Sequence, residues 1–537
     1  MVYISSDGQR RPSLSKHGAA VSQLSEQIAD FHKQRIPFRI YHGNTNSTRP
    51  SVRTRSATVD TSSLNNIISL SVSKQICLVE PNVPMDALVA ATLPHGLLPP
   101  VVPEFPGITV GGGYAGTAGE SSSFKHGFFD RAVEWIEVIL ADGEVVTASS
   151  SERQDLFYGM PGTFGTLGVT TLFEIRLIPA KQFVELSYLP VDCIQQAQQV
   201  LKQVIDENKA DFLDGIMFTP QVGVVMVGRF AERVEQNKSL PIVTFTKPWD
   251  QWFYLHAEEM TKDHHHHHHH QQITGTELRL NAASKTGNSP VSRDLIPTTD
   301  YLFRYDRGAF WTGRYAFTYF LTPFTRFMRW LGDTYMHTRV MYHALHRSGL
   351  MQRFIIQDMA LPNGNVPKFS AWLDGELPHI YPRWLCPLKM EADIPNMHPH
   401  IPRSSEGTRS DDSVLNIGVW GPTPRYMHQV TVNRRIEAQL RSLQGMKWLY
   451  AQTFYTEDEF WEIYDRKWYE TMRERYNAQG LPSVYEKVRT RFDVDANGTV
   501  VGDVRLGIEK GFWSVWPFAG IYGVLSTFKG GDYLRKR

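Results

Sequence analysis

The residues with the clearest chemical meaning are glycines. Gly111, Gly112, Gly113, Gly116 and Gly119 lie among Thr117, Glu120, Ser121 and Ser122. Residues without Cβ let backbone N–H groups approach an anion closely, and neighbouring hydroxyls add donors, so the stretch suits a diphosphate. A second series, Gly162-Thr163-Phe164-Gly165-Thr166-Leu167-Gly168-Val169, follows later in the chain. Two such series bracketing one hairpin are more specific than either alone, with tight-turn packing as the other reading of the pair. Gly111, Gly113 and Gly116 also spell G-x-G-x-x-G, with Glu134 and Glu137 near the spacing of a ribose-binding acid. A Rossmann unit would need a strand directly before the glycines and a helix opening on them. Here Pro99, Pro100, Pro103 and Pro106 precede and Glu120-Ser121-Ser122-Ser123 follows, so a loop is expected.

The elements that must carry these loops are legible in part. Val21, Leu24, Ile28 and Phe31 recur at helical spacing and lead into a short strand, Pro37 to Tyr41, and the polar loop His42 to Pro50. Asn66 to Leu70 and Gln75 to Val79 read as β-rich pieces, and Val83 to Leu93 as a helix ending at Pro94-His95-Gly96. Val133 to Leu140 and Glu144 to Ala148 flank Asp142-Gly143, a strong hairpin signal, and Val169 to Ile178 adds a strand. The resulting division is a disordered arm over 1–17, an α+β unit over 18–182, mixed elements over 183–400, a further part over 413–490 and a tail over 491–537. His264 to His270, in a Gln- and Thr-rich stretch, reads as part of a low-complexity loop over 263–292, and no metal site is expected.

Composition narrows the class. Lys plus Arg (56) nearly cancels Asp plus Glu (55), and no basic run is interleaved with aromatics, which argues against nucleic acid. Cys77, Cys193 and Cys386 are too few and too scattered for a disulfide framework or zinc site, and a reducing, cytoplasmic compartment fits. Met1 to Ser15 lacks a secretory apolar region, so the sequons at Asn46 and Asn497 read as chance. Phe512 to Leu525, aromatic and interrupted by Gly and Pro, suits an interfacial segment better than a membrane span; a tail packed on the body is the other reading.

Several segments together resemble a known family. They are Pro106-Gly107-Ile108-Thr109-Val110-Gly111-Gly112-Gly113, Gly119 to Gly127, Leu140-Ala141-Asp142-Gly143, Asp155-Leu156-Phe157-Tyr158 and Gly165-Thr166-Leu167-Gly168. They look like the FAD-binding PCMH-type domain of the vanillyl-alcohol-oxidase superfamily, in its delta(24)-sterol reductase (Diminuto) branch. The resemblance continues in Lys247-Pro248-Trp249, Ile356-Gln357-Asp358-Met359, Trp384-Leu385-Cys386-Pro387, Leu449-Tyr450-Ala451 and Glu459-Phe460-Trp461-Glu462. It implies a bipartite FAD-binding domain of two α+β subdomains with an α+β substrate-binding cap. It further implies that His42 to Thr48, with Gly43, Asn44, Thr45, Asn46 and Ser47, forms a first phosphate loop. Thr109 to Ser122 would wrap the diphosphate, and Gly165, Gly168 and Val169 would lie along the flavin. Many members of the superfamily tether the flavin to a histidine in the first loop. Here His42 precedes Gly43, so dissociable FAD is expected. The N-terminal membrane anchor of the family's sterol reductases has no counterpart in these residues.

The family activity would pass hydride from NADPH through the flavin to a sterol side-chain double bond. An isolated alkene accepts hydride poorly, so a proton donor and apolar walls are required. Asp358, in the apolar run Phe354 to Leu361, and Tyr469 are the candidate donors, a structural role being the other reading of each, and no spacing selects between them. Trp311, Tyr381, Trp384, Trp448, Tyr450, Trp461 and Tyr469 supply aromatic walls or ordinary core. Peripheral attachment through the tail would put the enzyme at the cytosolic face of the endoplasmic reticulum. Two other readings fit the same fold: an oxidase or dehydrogenase of an alcohol or specialised metabolite, and a non-catalytic flavin-fold scaffold.

Overall fold

The computed structural model describes residues 12–43, 47–49, 53–265, 292–390, 397–399, 413–424, 427–492, 516–528 and 535–536. Expectations for residues 1–11, Asn44 to Asn46 and most of the histidine-rich segment lie outside these.

Helix α1 (Pro12–Lys33) starts well before the apolar repeat, so residues 12–17 belong to a helix and not to a disordered arm. What orders its first turns is tertiary. His17 is buried, with Nδ1 2.8 Å from Glu80 and Nε2 3.0 Å from Glu137. Strands β1 (Arg39–Tyr41) and β2 (Thr58–Asp60) pair in parallel.

Five antiparallel strands form the first large sheet: β3 (Ile67–Ser71), β4 (Ile76–Val79), β5 (Val133–Leu140), β6 (Val145–Ser149) and β7 (Gly168–Arg176), in the order β3-β4-β7-β5-β6. The β5–β6 hairpin turns at Gly143, whose φ of +95° is open to glycine. A Cβ there would fall 2.8 Å from Ala29 on α1, so the hairpin and the helix meet through that missing atom. Helix α2 (Met85–Thr92) is where its pattern indicates.

The second sheet has eight strands: β8 (Phe183–Val191), β9 (Phe212–Thr219), β10 (Val222–Ala231), β11 (Ser292–Pro297), β12 (Phe354–Pro362), β13 (Arg383–Lys389), β14 (Ser413–Pro422) and β15 (Met446–Lys447). Their spatial order is β11-β8-β10-β9-β13-β14-β12-β15, with antiparallel pairing throughout. Alternation along a strand sorts residues between two faces. Leu385, Leu415, Ile417 and Met359 pack under the helices at 194–207, 366–376 and 429–442. Trp384, Cys386, Val414, Trp420 and Ile356 face the other way, into a core continuous with the first lobe. The fold is α+β, as expected. The expected loop over 263–292 is shorter at both ends, because a helix runs to His265 and Ser292 opens β11.

Candidate active site

A cavity of about 290 Å³ lies between the two lobes, walled by the glycine segments on one side and by the inner face of the eight-stranded sheet on the other. Thr109, Gly111, Gly112, Gly116 and Gly119 line it from the first series, Gly165, Gly168 and Val169 from the second, and Ser47 from the first loop. The first series is not simply a loop. Val110–Ala115 forms a short helix α3, capped where Thr109 accepts from the Gly112 N–H at 3.2 Å. Local capping offsets the poor helix propensity of the glycines. In the second series, Phe164 (φ +52°) and Gly165 (φ +73°) turn left-handed, and a Cβ on Gly165 would fall 2.5 Å from Ile40.

Other predicted residues do not reach the cavity. Gly43, Gly113 and Thr117 are not among its lining residues. Thr117 presents its backbone carbonyl to the indole of Trp448 at 2.9 Å. Glu120, Ser121 and Ser122 are buried behind the wall, not wrapped around a ligand. Ser121 donates to Glu120 at 2.7 Å, and Ser122 donates to Glu120 and to the Pro100 carbonyl. A buried carboxylate claims the nearest hydroxyls, so these are not available to a phosphate. Tyr469 is likewise no proton donor to this cavity. Its hydroxyl donates to Thr166 at 2.8 Å and accepts from the Val484 N–H at 2.9 Å, which makes it a strut between lobes.

Asp358 does line the cavity. Alternation on β12 and β14 aims Asp358, Asn416 and Trp420 at the same space, with Trp384, Cys386 and Leu388 beside them on β13. The Asp358 carboxyl accepts from the Tyr450 hydroxyl and from the Asn416 amide at 3.2 Å. Burial raises its pKa, and hydrogen bonds from Tyr450, Asn416 and Trp420 partly oppose that shift. Tyr450 also fixes the first loop: its backbone carbonyl accepts from Ser47 Oγ at 2.8 Å and from the Thr48 N–H at 3.3 Å. Trp384, Trp448 and Tyr450 supply aromatic wall, whereas Trp311, Tyr381 and Trp461 lie elsewhere.

Two features went unread in the sequence. Glu104, held among prolines, lines the cavity with Oε1 buried and unpartnered, and burial first, then the neighbouring Glu120, pushes its pKa well above the usual range. An acid inside an apolar proline run was the available signal. The second feature is a group of cations at the end near the first loop: Arg49, Arg53 and Lys487, with His42 among them. Burial and then the charges of Arg53 and Arg39 lower Arg49 to about 9, and burial with the three arginines takes Lys487 well below its usual value. Burial and the same cationic surroundings lower His42 to about 3. Cations packed so closely repel one another, and an anion among them removes that cost. Arg49 Nε and His42 Nδ1 are buried without partners, so donors remain for it. The site therefore fits a ligand with a diphosphate at one end and an apolar, aromatic-walled reaction space at the other.

The family described as "FAD binding domain" matches residues 18–149. With the two-lobed fold and the cavity between, this defines an FAD-dependent oxidoreductase. Comparison with curated proteins gives Delta(24)-sterol reductase of Pisum sativum, 30% identical over 473 residues (81% of this chain, 77% of that protein), and of Arabidopsis thaliana, 30% identical over 468 residues with the same coverage. Delta(24)-sterol reductase of Homo sapiens is 29% identical over 429 residues, 79% of this chain and 76% of its own. The chain belongs to the Delta(24)-sterol reductase family.

Proposed function

We propose that this protein reduces a delta-24-type carbon–carbon double bond in a sterol side chain, with NADPH as electron donor and dissociable FAD as carrier. The single observation that carries the reading is a buried carboxyl, Asp358, in an apolar cavity whose other end is a cationic, glycine-walled anion site. The names of the curated relatives support the substrate class. Bound FAD would supply the two-electron carriage, accepting hydride from NADPH and releasing it to the more substituted alkene carbon.

This chain's residues supply what the cofactor lacks. Arg49, Arg53 and Lys487 neutralise the diphosphate, and Thr109, Gly111, Gly112 and Gly116 bring backbone against it. Phe310, Trp384 and Trp420 exclude water from the alkene. Asp358 gives its proton to the less substituted carbon, so hydride plus proton saturate the bond, and Tyr450 and Asn416 hold the carboxyl in place. A raised pKa suits a donor and works against the base that alcohol oxidation would require.

Anaerobic stopped-flow tests the assignment. The yellow protein should bleach with NADPH and recolour on addition of a 24-unsaturated sterol. Bleaching by an alcohol with NADPH inert would replace the proposal with an oxidase, and a colourless protein that binds no FAD would replace it with a scaffold. Acid precipitation should release the flavin to the supernatant.

A further inference from the structure

The largest exposed apolar side chains cluster in sequence on two short stretches, outside the cavity. Leu321 is 75% exposed, Phe327 63% and Leu331 58%, with Trp330 and Tyr335 following. Trp516, Ile521 and Leu525 form the second group. The first group surrounds helix α4 (Arg326–Leu331), where the rings of Phe327 and Trp330 lie 5.7 Å apart. The second belongs to helix α5 (Phe518–Phe528) and the residue just before it.

Contacts join the two groups into one face. Trp516 donates its indole N–H to the Tyr319 carbonyl at 2.6 Å, and Gly520 of α5 sits against Tyr319 and Phe320. At the other end Arg326 donates to the carbonyl of Trp249, itself 58% exposed. Scattered apolar residues need no explanation, but a run of Leu, Phe, Trp, Leu and Tyr does.

The charges on this stretch are mostly basic. From Gly308 to Phe354 the chain carries Arg314, Arg326, Arg329, Arg339, Arg347 and Arg353 against one acid, Asp333. Asp333 is buried and occupied by Arg307 at 2.7 Å. The nearest outside acid to Arg339 is Asp86, at 3.9 Å. Residues 516–528 carry no charge. Aromatic and aliphatic side chains among an excess of arginines, with the exposed Glu259 near Arg329 and the half-exposed Asp86 near Arg339 as the opposing acids, are complementary to the headgroup region of an anionic bilayer.

We infer that this face docks the protein on an anionic phospholipid surface. Its position suits a lipid substrate, though the inference does not depend on one. The helix at Thr338–Ser348 contributes Tyr342 to the cavity wall, and Ala344 and Ser348 of the same helix pack against Gly523 of α5. Docking thus leaves only that helix and α5 between the cavity and the bilayer.

Flotation of the FAD-loaded full-length protein tests this, with vesicles of phosphatidylcholine alone and of equal parts phosphatidylcholine and phosphatidylserine. Binding should favour the mixed vesicles and weaken at high salt. Phe327→Ser with Trp330→Ser, and separately Arg326→Glu with Arg347→Glu, should each lower binding by about tenfold or more, with flavin content and bleaching by NADPH unchanged as the control for folding. Equal binding to both vesicle types, or variants that bind like the parent, would overturn the inference. So would a protein that ignores vesicles and instead dimerises through this face by light scattering, with the same substitutions abolishing the dimer.

Discussion

On the proposed function Asp358, which lines the cavity, is the proton donor to the alkene, and its surroundings set its behaviour. Burial favours its protonated form, so the donor is competent below its raised pKa and is lost as pH rises through it. The sterol-dependent recolouring rate should therefore fall on the alkaline side. Asp358→Asn should remove that limb and slow the step by about 10²- to 10³-fold while bleaching by NADPH persists; an Asn variant with an unchanged rate would move the proton elsewhere, first to Glu104. Arg49→Ala should loosen FAD by about tenfold or more, read by equilibrium dialysis. An acid in an apolar run made the position of Asp358 on the cavity wall legible in the sequence. Tyr469 carried a similar signal, and only the structure shows its hydroxyl already bonded on both sides. Arg49 and Lys487 were illegible because 438 positions separate them.

Among elements, the β5–β6 hairpin was readable from Asp142-Gly143, since that turn demands a particular backbone. Helix α3 was not, because a run of glycines has no helical preference of its own and Thr109 caps it only in the folded chain. The start of α1 was hidden for a similar reason: its partners for His17 come from distant strands. Burial there opposes the charge on His17, but hydrogen bonds and attraction from Glu137 and Glu80 prevail and raise it to about 9. The folded state then holds the proton more tightly than the unfolded chain. The stabilisation is whole below the ordinary value of 6.5 and fades as pH rises to about 9. Urea midpoints should drop across that window, and His17→Ala should flatten the drop, at a cost below pH 6.5 of about 3 kcal/mol. Gly165→Val should weaken flavin retention, since its side chain must enter left-handed backbone against Ile40.

At the scale of the molecule, the lobes are joined at the cavity and beyond it. Trp448 bonds to Thr117, the Leu213 N–H donates to the Ser121 carbonyl, and Tyr476 donates to Asp155. A ligand held between them stabilises both, so a hundredfold excess of FAD over its Kd should add about 2.7 kcal/mol. Melting followed by tryptophan fluorescence and by far-ultraviolet dichroism should rise together, and a shift confined to one signal would count against a shared site. Lys487 joins the cationic group from 438 positions beyond Arg49, its amine bonded to the Phe164 carbonyl within the second glycine series. During synthesis, then, the flavin lobe leaves the ribosome with that wall missing. The complete cationic group is assembled only once synthesis has passed Lys487, so full affinity for the cofactor is expected to come late.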